Sequence, residues 1–263
     1  MLKEPGKSAQ SKSYMWLYRT GGDAEHPIVL YDYRPDRKAK NVEEFLEGFS
    51  GYLHADGYQG YHKLRPDIRV VGCWAHARRK FDEAVKSLPK KEQAGCTALE
   101  GQAFCTKLFA IEAEIQDLSL EEKRKQRQGR AKPVLDALFS WAEEKQKVTP
   151  PKSALGKALH YLKEQWPYLV RYLEDGRLEI SNNRAERSIK PFVMGRKNWL
   201  FANTSAGARA SAVIYSLMET AKETGLDPYK YLLWALREAP KLFETDREWA
   251  KKLTPEPLYT TLR

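Results

Sequence analysis

Two acids stand where a carboxylate can do chemistry. Asp56 closes the segment Gly51-Tyr-Leu-His-Ala-Asp56 and is followed by Gly57-Tyr58-Gln59-Gly60-Tyr61. A short apolar run of this kind reads as a strand, and the glycine after the aspartate frees the turn. That puts a hard oxygen ligand at a sheet edge, although Asp-Gly is also an ordinary turn. Glu186 is the only acid in Ser181-Asn-Asn-Arg-Ala-Glu-Arg-Ser-Ile-Lys-Pro-Phe192, and Arg184, Arg187, Lys190, Arg196 and Lys197 surround it. Such a glutamate is either salt-bridged at the surface or a metal-binding carboxylate whose cationic neighbours track phosphates. Hard oxygen donors suit Mg²⁺, which keeps several waters and shares substrate phosphates. Two such ions can activate an attacking oxygen and stabilise a leaving one.

Other groups speak less clearly. Arg78-Arg79-Lys80 is a basic triplet, and residues 121–132 hold six cations against two anions. Each reads as a solvated helix face or as a nucleic-acid contact. Cys73 and His76 have CxxH spacing, but no second Cys/His pair follows at finger distance, so a zinc site is not expected. Tyr58 and Tyr61 flank Asp56 and read as core packing.

The elements that must position these residues follow from pattern. Tyr14–Arg19 and Ile28–Tyr33 are aromatic and apolar around a Gly21-Gly22-Asp23 turn, which predicts an antiparallel hairpin over 14–33. Asn41 is expected to cap a helix over 42–49, with Val42, Phe45, Leu46 and Phe49 at i, i+3, i+4 and i+7. Residues 68–73 read as a buried strand, and from His76 a helix runs to Leu88. Strand signals then vanish. Residues 89–176 form an all-helical block, with helices over 97–118, 121–147 and 153–174. Weak strand character returns at 177–180. Asn182 or Asn183 caps a helix over Ala185–Phe192, another helix spans 207–224, and Asp227-Pro228 opens a third that reaches Ala239. Residues 240–263 read as a polar, loosely packed tail.

The chain has 263 residues with 45 Lys+Arg against 35 Asp+Glu, a net charge of +10. Its 42% hydrophobic content, with 7 Trp, 14 Tyr and 9 Phe, excludes global disorder. The length allows one large domain or two small ones. No apolar run approaches the roughly 18–20 residues needed to cross a bilayer. Met1-Leu-Lys-Glu-Pro-Gly-Lys-Ser has no apolar core of a secretory signal. Three cysteines without a CxxC pair argue against a disulfide framework and for a reducing cytoplasm. A basic balance is one sign of a nucleic-acid partner.

Read together, three blocks become specific. They are Ala55-Asp56-Gly57-Tyr58, Cys73-Trp-Ala-His-Ala-Arg-Arg-Lys-Phe81, and Asn182-Asn-Arg-Ala-Glu-Arg187 continuing through Gly195-Arg-Lys-Asn-Trp-Leu-Phe201. They resemble the insertion sequence 66 family of bacterial DDE transposases, and 207–239 looks like that family's short C-terminal region. The resemblance runs over 14–239. It implies an α/β, ribonuclease-H-like core over 1–206, mostly helical overall because a helical insertion at about 89–176 interrupts its mixed sheet. It implies that Asp56 and Glu186 are the second and third catalytic acids and hold Mg²⁺ or Mn²⁺, two ions in the intact parent. The implied chemistry is DNA hydrolysis at the element end, then attack of the freed 3′-OH on target DNA. Arg78, Arg79, Lys80, Arg184, Arg187, Lys190, Arg196 and Lys197 would contact phosphates, and Trp199 would either stack on a base or join the core. Double-stranded DNA is the implied partner, together with full-length transposase or a second copy, in the nucleoid of the cytoplasm and away from membranes.

The family's first aspartate lies just upstream of the segment matching 14–19, and residues 1–13 contain no aspartate. Asp23 comes after the strand, and Glu4 precedes Pro5-Gly6. The expectation is therefore a C-terminal fragment of the catalytic region, starting just after the first acid and lacking most of the first strand. Such a chain should have reduced stability and no strand cleavage by itself. The alternative is a DNA- or transposase-binding remnant or regulator without catalysis. A third reading, an unrelated ribonuclease-H-like nuclease, needs another acid beside Asp56 and Glu186, with Asp32 and Asp82 as candidates.

Overall fold

The structure, a computed structural model, describes residues 12–199, 202 and 204–255, Trp199 by its backbone alone. In chain order the elements are β1 (Tyr14–Arg19), β2 (Val29–Arg34), α1 (Ala39–Phe45), β3 (Gly51–His54), β4 (Ile68–Val71), α2 (Trp74–Lys86), α3 (Lys90–Gln93), α4 (Thr97–Glu114), α5 (Leu120–Gln126), α6 (Lys132–Val148), α7 (Ala154–Leu169), α8 (Asn183–Trp199), α9 (Ser205–Glu223), α10 (Pro228–Thr245) and α11 (Trp249–Lys252). Among the described residues the strands make two two-stranded sheets, so the chain is a mostly helical α/β protein. It divides into two units, Met1–Asn41 with Arg184–Arg263, and Val42–Asn183.

In the first unit β1 and β2 pair antiparallel from Tyr14↔Arg34 to Arg19↔Val29, as the hairpin signals predict. Val29, Tyr31 and Tyr33 alternate inward along β2. Val29 and Tyr31 cluster with Ala212 of α9 and with Ile189 and Phe192 of α8. The outer edge of β2 does not go unpaired. The Val29 N–H donates to Thr220 Oγ1 at 3.0 Å, Thr220 Oγ1 donates back to the Val29 carbonyl at 3.0 Å, and the Tyr31 N–H donates to Ser216 Oγ at 2.8 Å. Two hydroxyls one turn apart on α9 thus close a strand edge that would otherwise template aggregation.

In the second unit β3 and β4 pair parallel, Gly51↔Ile68 to His54↔Val71. The helical block shares one core with them. Val71, Trp74 and Phe81 cluster with Leu108, Leu138, Leu162, Leu169 and Tyr172. Trp74 Nε1 donates to the Leu169 carbonyl at 2.9 Å, and the Gly72 N–H to the Tyr168 carbonyl at 2.9 Å. A Cβ at Gly72 would lie 3.1 Å from the Leu169 nitrogen, so a glycine permits this close approach of two backbones.

Several boundaries differ from the sequence reading. Asn41 lies inside α1 rather than capping it, and its Nδ2 donates back to Asp36 Oδ1 at 2.9 Å. Residues 177–180 form no strand. α8 continues through Pro191 to Trp199, and α10 through Pro240 to Thr245. Each proline removes one helical hydrogen bond without ending its helix. Past α10 the chain is anchored: Leu253 is buried, and its carbonyl accepts from Tyr231 Oη at 2.6 Å. The three cysteines are free thiols, and burial pushes that of Cys105 up to about 12.

Candidate functional site

Asp56 belongs to the second unit, two residues beyond the end of β3. Its half-buried carboxylate accepts the Tyr58 N–H at 3.1 Å, an Asx turn that Gly57 follows through without a side chain. The absence of that side chain is required. A Cβ at Gly57 would lie 2.8 Å from Tyr161 Oη and 2.9 Å from its Cε2, so the α7 tyrosine rests on the aspartate's turn. Burial raises the Tyr161 hydroxyl, the charges of Cys73 and Asp56 raise it further, and Arg79 lowers it. The Asp56 and Arg79 charges are thus near enough to act on Tyr161. Nearby, His54 Nε2 donates to the Gly72 carbonyl at 3.0 Å, and burial lowers that imidazole to about 4. It is neutral at neutral pH.

The basic triplet does not make one patch. Successive helical residues point about 100° apart, so three consecutive cations diverge. Arg79 is exposed on α2, Arg78 lies over the Phe109 ring at 5.9 Å, and Lys80 pairs with Glu83 at 3.0 Å.

α8 arranges its cations differently. Ser188, Ile189 and Phe192 turn inward, Ser188 being buried and the other two packing on the hairpin core. By helical spacing Arg187, Lys190 and Lys197 fall with Glu186 inside an arc of about 100°, on the side away from that packed face. Arg187, Lys190 and Lys197 are exposed, as is Arg196 nearer the other side of the helix end, while Arg184 and Glu186 are half-buried. The Trp199 side chain lies outside the described residues.

The packed side of α8 is fixed by groups that the sequence pattern does not single out. Arg19, at the end of β1, donates from Nη1 to Ser188 Oγ at 2.7 Å and to the Arg184 carbonyl at 3.4 Å. It also grips Glu223 of α9 through both terminal nitrogens, at 3.2 and 2.9 Å. Tyr31 Oη donates to the Ser188 carbonyl. Arg19 hydrogen bonding holds the Glu223 carboxyl below its usual range, with the Arg19, Arg184 and Arg187 charges adding to the effect.

Among the described residues no three His, Cys, Asp or Glu side chains gather where they could hold an ion. Asp32 is paired with Arg34 at 2.6 Å, and Asp82 with Lys86 at 2.6 Å.

A family model described as "Transposase IS66 family" matches residues 1–210. The chain belongs to the IS66 transposase family. Two Sinorhizobium fredii (strain NBRC 101917 / NGR234) proteins, "Uncharacterized protein y4qI" and "Uncharacterized protein y4jD", are each 33% identical to it, over 243 and 241 residues. A third from the same strain, "Uncharacterized protein y4hP", is 30% identical over 235 residues. The alignments cover 87%, 87% and 83% of this chain but 44%, 46% and 43% of those relatives, so it spans less than half their length. No solved structure matches. Among the described residues no helix is long and apolar enough to cross a membrane.

Arg19, Tyr161, Ser188 and Glu223 are the residues that sequence reasoning missed. Arg19 and Glu223 are 204 positions apart, and nothing local marks either. Gly57 carried the one available signal for Tyr161, since a glycine beside a site carboxylate can mark a close approach as well as a turn.

Proposed function

We propose that this IS66-family chain is the DNA-directed part of a transposase, with α8 as its nucleic-acid face. The carrying observation is the register of that helix: the exposed Arg187, Lys190 and Lys197 lie on the side that carries the half-buried Glu186, while the other side is packed and hydrogen-bonded. Phosphates neutralised by such a row give affinity that is salt-dependent and indifferent to sequence. Arg184 and Arg196 of the same helix extend the contact, and Arg78, Arg79, Lys80 and Trp199 are further candidate contacts. Asp56 and Glu186 are the carboxylates this chain contributes to strand chemistry in the longer protein. There Mg²⁺ or Mn²⁺ would supply Lewis-acid activation of the attacking and leaving oxygens. By itself the chain binds duplex DNA in the nucleoid and does not cleave it.

The ribonuclease-H-like reading is supported by the order of elements. An antiparallel hairpin, a parallel strand pair with an acid just past its first strand, a helical block and then a glutamate-bearing helix follow in the order that reading expects.

Fluorescence anisotropy on a labelled duplex of about 30 base pairs tests this. Affinity should fall linearly with log salt, at a slope of roughly −0.9 per phosphate contact. Absence of binding at low salt removes the reading. Mg²⁺-dependent nicking of a supercoiled plasmid that disappears in Glu186→Ala would overturn the assignment of inactivity to the isolated chain.

A further inference from the structure

We propose that Arg19, locked to Glu223, is a positioning residue for Glu186, setting the rotation of α8 about its own axis. The inference rests on the reading of Glu186 as a site residue. Arg19 is 6% exposed in its side chain and joins three elements at one guanidinium. Its Nη1 reaches Ser188 Oγ and the Arg184 carbonyl on α8, and both terminal nitrogens reach the carboxylate that ends α9. Ser188 Oγ also donates to the Arg184 carbonyl at 3.1 Å, so the two α8 contacts form one cluster.

Residues 184 and 188 are one turn apart on one face. Residue 186 stands between them in sequence and about 200° from either around the helix. Arg19 therefore holds the back of the turn whose front carries Glu186, without touching Glu186. The apolar contacts of Ile189 and Phe192 with Val29, Tyr31 and Ala212 would keep α8 on the hairpin but tolerate some roll. A planar guanidinium with directional donors does not. That distinction gives a buried charge a use here, because apolar residues of similar volume would serve adhesion as well or better.

The test uses the full chain and amide hydrogen exchange read by mass spectrometry. In Arg19→Ala and Glu223→Gln, exchange over 184–190 should rise roughly tenfold, the loss of a charge-assisted hydrogen bond. Exchange over 228–245, in the same unit, should change less than about twofold. Ethylguanidinium, which can refill the fork, should restore protection in Arg19→Ala, and ethylammonium should not. Arg19→Lys should behave like Arg19→Ala. A uniform rise across the unit, or equal rescue by the two amines, overturns the proposal, because either outcome describes simple packing. Duplex binding of the unaltered chain is measured alongside. Its absence defeats the DNA reading of α8 while leaving the exchange result to decide the Arg19 proposal.

Discussion

Residues 121–132 and 184–197 look alike in composition, each a short helical run crowded with lysine and arginine, and the fold uses them in opposite ways. In the first, Arg127 is 2% exposed and spends every donor internally. Its Nε and Nη2 grip Glu112 at 2.9 and 2.7 Å, Nη1 reaches the Tyr172 and Asp175 carbonyls at 2.9 Å, and Nη2 reaches Leu178 O at 2.8 Å. A turn of π-helix over Arg127–Ala131 delivers it there. Arg130 pairs with Glu114, and Lys132 with Asp136 at 2.6 Å. In the second run, Arg187, Lys190 and Lys197 are exposed on the side that also carries the half-buried Glu186. Charge density is equal in kind. Register and the nearness of carboxylates decide which run is spent inside the fold and which is left exposed.

The strongest way to break this contrast is Arg127→Ala. It leaves Glu112 and three carbonyls without their donor inside the second unit, a loss expected to cost about 4 kcal/mol. Urea denaturation should show the midpoint falling steeply, with Arg127→Lys recovering less than half. A cost below about 1 kcal/mol would mean that the five contacts carry no net weight.

A second test asks whether buried polar groups of the same unit make it sensitive to acid. The folded pKa of His54, about 4, lies below its ordinary 6.5. The unfolded chain therefore takes up the proton first. The contribution is full above about pH 6.5 and is lost as pH falls toward 4, by roughly 3 kcal/mol in all. His54→Gln should flatten that part of the stability curve measured from pH 7 to pH 4.

These two cases show what the sequence could and could not disclose. The hairpin, the helical block, the strand before Asp56 and the helix bearing Glu186 were all legible, because each is a local pattern of apolar spacing and turn chemistry. The basic row on α8 was legible as a cluster, and its one-sidedness follows from helical register. The burial of Arg127 was not legible, since its partners Glu112, Tyr172, Asp175 and Leu178 come from two distant stretches of chain. The run of α10 through Pro240 was hidden because a proline inside a helical pattern reads as a helix end, although here it removes a backbone donor without stopping the helix.

The third prediction separates the two basic runs directly. Arg187→Gln, Lys190→Gln and Lys197→Gln together should weaken duplex binding about 30-fold and reduce the salt slope by roughly 3. The matched triple Lys123→Gln, Lys125→Gln and Arg130→Gln should leave both within about twofold. Equal losses from the two triples would erase the distinction and return the positive charge to a general, unplaced attraction.

The smallest effect probes the place where the contrast is least clean. Tyr161 belongs to the helical block, yet its ring lies against the turn that follows Asp56. Gly57→Ala pushes a methyl into Tyr161 Oη and Cε2 and should cost about 1 kcal/mol, because the ring must tilt or the turn must shift. Tyr161→Ala opens the space at its own cost in lost packing. In the double variant the methyl meets no ring, so the summed costs should exceed the measured one by most of the Gly57→Ala penalty. Additive behaviour in urea denaturation would mean that the turn and the ring are independent. Coupling would show that the helical block, besides supplying a core, fixes the shape of the loop that presents Asp56.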